Sequence, residues 1–175
     1  MSTEDRRKDQ RVLTVTWEDP RIGVKKGRSM SGLEFLRAIK GGKIPPPPAA
    51  KLLGYRIWEV KKGHTVFQLE PAEYHYNPFG TVHGGILSTL LDTAMTSAVM
   101  TTLETGTACS TLEINVNFIR PMTDQSGPVR CEGKTIHVGS RIATAVGKIL
   151  DRDGSLYAHA VSTIMIFSTI KKGAS

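Results

Sequence analysis

Residues 84–103 form twenty consecutive positions with a single charged side chain, Asp92. Within them Ile86, Leu87, Leu90, Leu91, Ala94, Met95, Ala98 and Val99 recur in pairs every four residues, the period of a helix. The other positions carry Ser88, Thr89, Thr93, Thr96 and Ser97 instead of the Lys and Glu of a solvated face. Both sides of such a helix need cover, so it belongs at the centre of the fold. Whatever else the chain builds must be able to wrap it.

The flanking segments have the period of strands. Residues 55–60 and 65–69 read as two strands joined by a Lys61-Lys62-Gly63 turn. After the helix, Leu112, Ile114, Val116 and Phe118 alternate with Thr111, Glu113, Asn115 and Asn117. Three more strands are expected at about 128–138, 142–151 and 155–168, with Asp151-Arg152-Asp153-Gly154 as a hairpin turn. The order is β-β-α-β-β-β-β. With no second helical crossover the sheet must be largely antiparallel. The expected class is therefore α+β, a long antiparallel sheet curved around one central helix.

The first fifty residues differ in character. Residues 1–30 are polar with little periodicity and are expected to be flexible or loosely packed. Leu33, Phe35, Leu36 and Ile39 predict a short amphipathic helix over 31–40, stopped by Gly41-Gly42. Pro45-Pro46-Pro47-Pro48 reads as a stiff extended spacer, and 49–53 as one further helical turn. This divides the chain into a basic extension (1–50), a main domain (51–170) and a tail (171–175).

Composition narrows the function classes. The formal charge is +7, and most of it lies in the first fifty residues, which hold eleven Lys/Arg against six Asp/Glu. That is the pattern of a solvated basic segment, or of one that meets an anionic partner or steers a phosphate-bearing ligand. No helix-turn-helix, zinc-finger or aromatic-basic pattern supports nucleic-acid binding. The seven Ser/Thr residues in 84–103 argue against a membrane span. The polar start, Met1-Ser2-Thr3-Glu4-Asp5-Arg6-Arg7-Lys8, lacks an apolar signal core, and two cysteines make no disulfide framework. A cytoplasmic protein without a metal site is the expectation.

The chemistry concentrates where the helix begins. Asn77-Pro78-Phe79-Gly80-Thr81-Val82-His83-Gly84-Gly85 is a polar loop that runs straight into the apolar helix. Glycines there let a substrate approach bare N–H groups, where the helix dipole favours negative charge. The lone carboxylate two turns further in needs a partner or a task. Oxyanion donors plus one carboxylate are what carbonyl-directed hydrolysis uses. Neither a G-x-S-x-G elbow nor a Walker A loop is present.

The pattern Asn77-x-x-Gly80-x-x-His83-Gly84-Gly85, with Asp92 nine residues after the histidine, resembles the hotdog-fold thioesterases of the phenylacetyl-CoA (PaaI-like) branch. The strand from Thr111 to Pro121 looks like that family's first strand after the helix. The resemblance covers residues 50–168. It implies a homodimer with a continuous sheet, often paired again into a tetramer, and sites at the subunit interface. It implies acyl-CoA hydrolysis with no cofactor, the coenzyme A being part of the substrate. Gly84 would donate its N–H to the thioester oxygen, with Gly85 beside it. Asp92, from the partner subunit, would attack the carbonyl or activate water. Asn77 would position water or the carboxylate, and His83 would hold the loop and helix start in shape. Thr96 and Thr111 would bind the carboxylate or substrate. The turn His137-Val138-Gly139-Ser140-Arg141, with Arg120, would lie near the coenzyme A phosphates.

Each assignment has a plainer counterpart. Asp92 also fits a buried structural carboxylate held by Ser88 and Thr96, His83 a structural histidine instead of a proton-transfer base, and Arg120 and Arg141 ordinary surface cations. His64, His75 and His159 stand isolated in the sequence. A hotdog domain that binds acyl-CoA without hydrolysing it, as a sensor or regulatory module, is the functional alternative.

Overall fold

The computed structural model describes residues 9–169. Six strands form one antiparallel sheet: β1 (Arg56–Lys61), β2 (His64–Leu69), β3 (Thr107–Phe118), β4 (Val129–Val138), β5 (Ile142–Leu150) and β6 (Leu156–Ser168). Their spatial order is β1-β2-β4-β5-β6-β3, so β1 and β3 are its two open edges. Helices α1 (Arg21–Gly27), α2 (Gly32–Lys40) and α3 (Pro48–Leu53) precede the sheet; α4 (Gly84–Met100) lies between β2 and β3.

This is the hotdog arrangement, with α4 as its centre. The helix touches every strand from β2 to β6, and Leu90, Leu91, Ala94, Met95, Ala98 and Val99 are completely or almost completely buried. Its closest approach is at Gly133 of β4, where any side chain would overlap the Ala94 main chain. The Thr65 hydroxyl donates to the Ala94 carbonyl at 2.8 Å at the same level, so strand, helix and hydroxyl lock together. No helix among the described residues is long and apolar enough to cross a membrane.

Strand β3 corrects one detail of the sequence pattern. Its pairing with β6 slips between Thr111 and Glu113, a β-bulge that leaves Leu112 as the extra residue. Simple alternation groups Leu112 with Ile114, Val116 and Phe118. Instead Leu112 is 56% exposed, while Ile114 and Val116 pack on the core. The slip turns Thr111 toward the helix, which matters for the site.

The N-terminal segment is more regular than its composition predicts. Helix α1 forms inside residues 1–30, although none of its residues is buried. Helix α2 starts at a capping box: the Glu34 N–H donates to Ser31 Oγ, and the Ser31 N–H donates to Glu34 Oε2. The first α2 residue is Gly32, whose N–H donates to the Leu103 carbonyl at 3.0 Å. A Cβ at Gly32 would overlap the Met100 carbonyl, so α2 rests directly on the end of α4. The proline run stays extended to Pro47, and Pro48 opens α3, where its missing N–H costs nothing. The expected tail at 171–175 lies outside the described residues, as do the first eight.

Candidate active site

The middle of α4 carries a small polar network against β3. Thr111 Oγ1 donates to Asp92 Oδ1 at 2.6 Å, and the two threonine hydroxyls, Thr96 and Thr111, are 2.8 Å apart. Thr96 Oγ1 also lies 3.3 Å from Asp92 Oδ1. Two hydroxyl protons serve these contacts. With the Thr111 proton on the carboxylate, Thr96 is the donor to Thr111. A hydroxyl bond to an ionised carboxylate is short and strong, so the Asp92 side chain is held in one orientation. None of these bonds uses Oδ2. Asp92 is half-buried, which leaves that second oxygen free to meet a substrate or water.

The same carboxylate affects its neighbours. The Cys109 thiol, 3.8 Å from the Thr96 carbonyl, is pushed up to about 11, first by burial and then by Asp92. The Tyr55 hydroxyl is likewise raised, chiefly by burial, with the Thr93 hydroxyl hydrogen-bonded to it and opposing the shift. Cys109 therefore remains a thiol near neutral pH and is no nucleophile there.

At the head of α4, His83 is the N-cap: its Nδ1 accepts the Gly85 N–H at 2.9 Å. That bond places the ring proton on Nε2 and occupies the lone pair that a general base would need. It also uses the Gly85 donor, so Gly85 lines the site without offering its N–H. Gly84, at the first helical position, has no intrahelical acceptor and keeps its N–H available. A Cβ on Gly84 would lie 3.0 Å from the Phe118 ring, so the β3 terminus covers this glycine.

The preceding loop is self-contained. Asn77 Oδ1 accepts the Phe79 and Thr81 N–H groups, and its Nδ2 donates to Thr81 Oγ1 at 2.9 Å. The Asn77 amide therefore shapes the loop, with one Nδ2 proton outside these bonds. Sequence reading passed over His75, which is buried just upstream. Its Nδ1 accepts the Ala72 N–H, its Nε2 donates to the Leu53 carbonyl, and its own carbonyl accepts the His83 N–H at 2.8 Å. It ties α3 to the loop that starts α4. No spacing rule marks it, because its partners are main-chain groups.

Gly84 and Asp92 cannot serve one carbonyl within one chain. Eight residues at about 1.5 Å rise separate them by about 12 Å along the axis. Arg120 and the His137–Arg141 turn are also far apart. The Arg120 N–H donates to the Tyr157 carbonyl and the Arg141 carbonyl accepts the Ile166 N–H. The intervening run of β6 is about 30 Å long. Both arginines are exposed, as are His137, Val138 and Ser140; Gly139 is half-buried, and its N–H donates to the Ile142 carbonyl at 2.9 Å.

The thioesterase superfamily model matches residues 79–158, which span the α4 head, Asp92 and strands β3–β5. A 1,4-dihydroxy-2-naphthoyl-CoA hydrolase from Listeria monocytogenes is 32% identical over 114 residues, covering 65% of this chain and 91% of the relative. The chain belongs to the thioesterase superfamily. Among solved structures, this thioesterase resembles a phenylacetic acid degradation-related protein from Ralstonia eutropha JMP134. The two share 32% identity at a TM-score of 0.67, covering 74% of this chain and 98% of that one. The PaaI protein of E. coli, from the phenylacetic acid degradation operon, has the same fold: TM-score 0.68, 21% identity, 80% and 97% covered. Human acyl-coenzyme A thioesterase 13 matches over a shorter stretch, 32% identical over 59 residues and 41% of its length. The enzyme is thus a thioester hydrolase by family, and its first fifty residues lie upstream of the segment that the superfamily model matches.

Proposed function

We propose that the enzyme hydrolyses acyl-CoA thioesters at sites shared by two copies of the chain. One observation carries this reading: Asp92 is fixed by Thr111 on the open edge strand β3, with Oδ2 free, about 12 Å from the Gly84 donor of its own chain. A second copy supplies the missing half. Thr111 marks the level of Asp92 on β3, and Phe118 marks the level of Gly84. Pairing two β3 strands antiparallel about a point between Ile114 and Asn115 sets Thr111 across from the partner's Phe118. Asp92 then faces the partner's Gly84.

In that arrangement the thioester oxygen takes the partner's Gly84 N–H, at a helix N-terminus that favours the developing negative charge. Asp92 Oδ2 removes a proton from water as the water oxygen bonds to the carbonyl carbon, or itself bonds to that carbon. Collapse of the tetrahedral intermediate breaks the C–S bond, and the leaving thiolate is protonated. Where water attacked, the product is already the free acid. Where Asp92 attacked, it is an acyl-Asp92 anhydride that a water molecule then hydrolyses to the acid and the restored carboxylate. The same pairing brings Arg120 across from the partner's Cys109, three strand spacings (about 14 Å) from the partner's Arg141 turn. Two arginines from different chains then serve one set of coenzyme A phosphates, which neither chain alone achieves.

Release of free thiol from a panel of acyl-CoAs, followed with a thiol reagent, tests the activity. Turnover supports the hydrolase. Tight acyl-CoA binding with no thiol release across the panel would instead make the protein a sensor module. Single turnover in ¹⁸O-water probes the role of Asp92: label entering the carboxylate marks a nucleophile, and label only in the product acid marks attack of water on the acyl carbon.

A further inference from the structure

The structure assigns to the N-terminal extension the wall of the acyl pocket, and with it selection for a bulky apolar acyl group; this rests on the thioesterase reading above. A cavity of about 530 Å³ lies between α2, the Pro46-Pro47 run, β1 and α4. That volume is in the range of pockets that enclose a drug-sized ligand, far beyond what an acetyl group fills. Thr93, Ser97 and Met100, one stripe of α4, form its floor. Thr93 follows Asp92 and points about 100° around the helix from it. The lining residue Tyr55, which hydrogen-bonds Thr93, is close enough to feel the Asp92 charge.

The placement suits a thioester laid across Asp92. Edge strand β3 lies on one side of the carboxylate, where the coenzyme A portion meets the second chain. The cavity lies on the other, beside edge strand β1. Phe35 and Ile39 of α2 close its far side, and the edge-to-face pair Tyr55–Phe67, with ring centroids 5.9 Å apart, lines the sheet side. Phe35, Ile39, Pro46 and Pro47 lie upstream of the segment that matches the superfamily model. Lys40, Lys51 and Arg56 stand among the lining residues with exposed side chains, leaving the interior to apolar groups.

Apolar burial of this kind raises kcat/KM about fourfold per methylene until the cavity is full. The test compares wild type, Ile39→Trp (which narrows the cavity) and Ile39→Ala (which widens it). It covers acetyl- to decanoyl-CoA and phenylacetyl-CoA, together with binding of the matching non-hydrolysable thioether analogues. The expected result is a ratio of decanoyl to acetyl kcat/KM at least about tenfold lower in Ile39→Trp, with the longest efficient acyl group shifted upward in Ile39→Ala. A larger gain on phenylacetyl than on the straight chains identifies an aryl group as occupant; the reverse identifies an alkyl chain. Unchanged ratios in both folded variants, with wild type active, would overturn the pocket assignment and leave the hydrolase standing. Conversely, no turnover of any thioester, with decanoyl-thioether affinity still falling tenfold in Ile39→Trp, would overturn the hydrolase and leave the pocket.

Discussion

The two edges of the sheet are finished differently. Edge strand β1 is covered within the chain: α2 packs on it and on α4, and α3 adjoins it through the Gly54 turn. Edge strand β3, twelve residues long, has its free side uncovered by any described strand. Long open edges invite pairing with another chain. Asp92 is bonded to β3, and its helix neighbour Thr93 lines the β1-side cavity. On the proposed reading the open edge recruits the partner that completes the chemistry, and the covered edge determines which acyl group reaches it.

The largest expected effect breaks the β3 side. Asp92→Asn keeps the size and the Thr111 contact but loses the proton acceptor, so kcat should fall at least ~10²-fold with fold and acyl-CoA affinity retained. Steady-state kinetics with circular dichroism checks this; near wild-type turnover would remove Asp92 from the mechanism. The covered edge breaks at Gly32. Gly32→Val must push α2 off Met100, and overpacking of this kind costs about 1–3 kcal/mol. A lowered Tm should come with flattened acyl-chain selectivity, because the cavity wall moves with α2.

Two smaller effects sharpen the contrast. Arg141→Ala should raise KM several-fold with little change in kcat, since phosphate contacts are the same in ground and transition states. The effect should be weaker for an acyl-pantetheine without the nucleotide, and the gap should shrink in high salt. His75 reports on the covered side. Burial holds its pKa below the usual 6.5, the Leu53 hydrogen bond opposing this. The unfolded chain therefore takes up the proton more readily than the folded one. Stability should be complete above about pH 6.5 and decline as pH falls through that value. Denaturant unfolding from pH 7.5 to 5 should show this slope, and His75→Gln should flatten it.

The sequence was most legible where chemistry and periodicity coincide. Helix α4 is visible because a single charge interrupts twenty residues, and the β1–β2 and β5–β6 turns because Gly63 and Gly154 take up positive φ. What stayed hidden depends on distant partners. The bulge at Leu112 is set by pairing with β6, so alternation alone placed that side chain on the wrong face. The docking of α2 depends on Gly32 meeting Met100, and the burial of His75 on main-chain groups at Leu53 and Ala72. Helix α1 has no acidic first turn and no buried face, which leaves no periodic signal. Asn77, His83 and Gly84 could be singled out from spacing, but not the division of their hydrogen bonds. Arg120 and Arg141, both expected near the coenzyme A phosphates, lie beside opposite ends of β6 within one chain.

The shared site can be tested with two inactive variants. Asp92→Asn removes the carboxylate, and Gly84→Val crowds Phe118 and displaces the oxyanion donor, a loss worth about 3 kcal/mol of transition-state stabilisation. Differently tagged copies are co-expressed, and the mixed dimers purified through both tags. If each site takes Asp92 from one chain and Gly84 from the other, a mixed dimer holds one intact site and one doubly damaged site. The account predicts thiol release at about half the wild-type rate per dimer, from two variants each nearly inactive alone. Mixed dimers as inactive as either parent, or an active wild-type monomer by sedimentation, would contradict it.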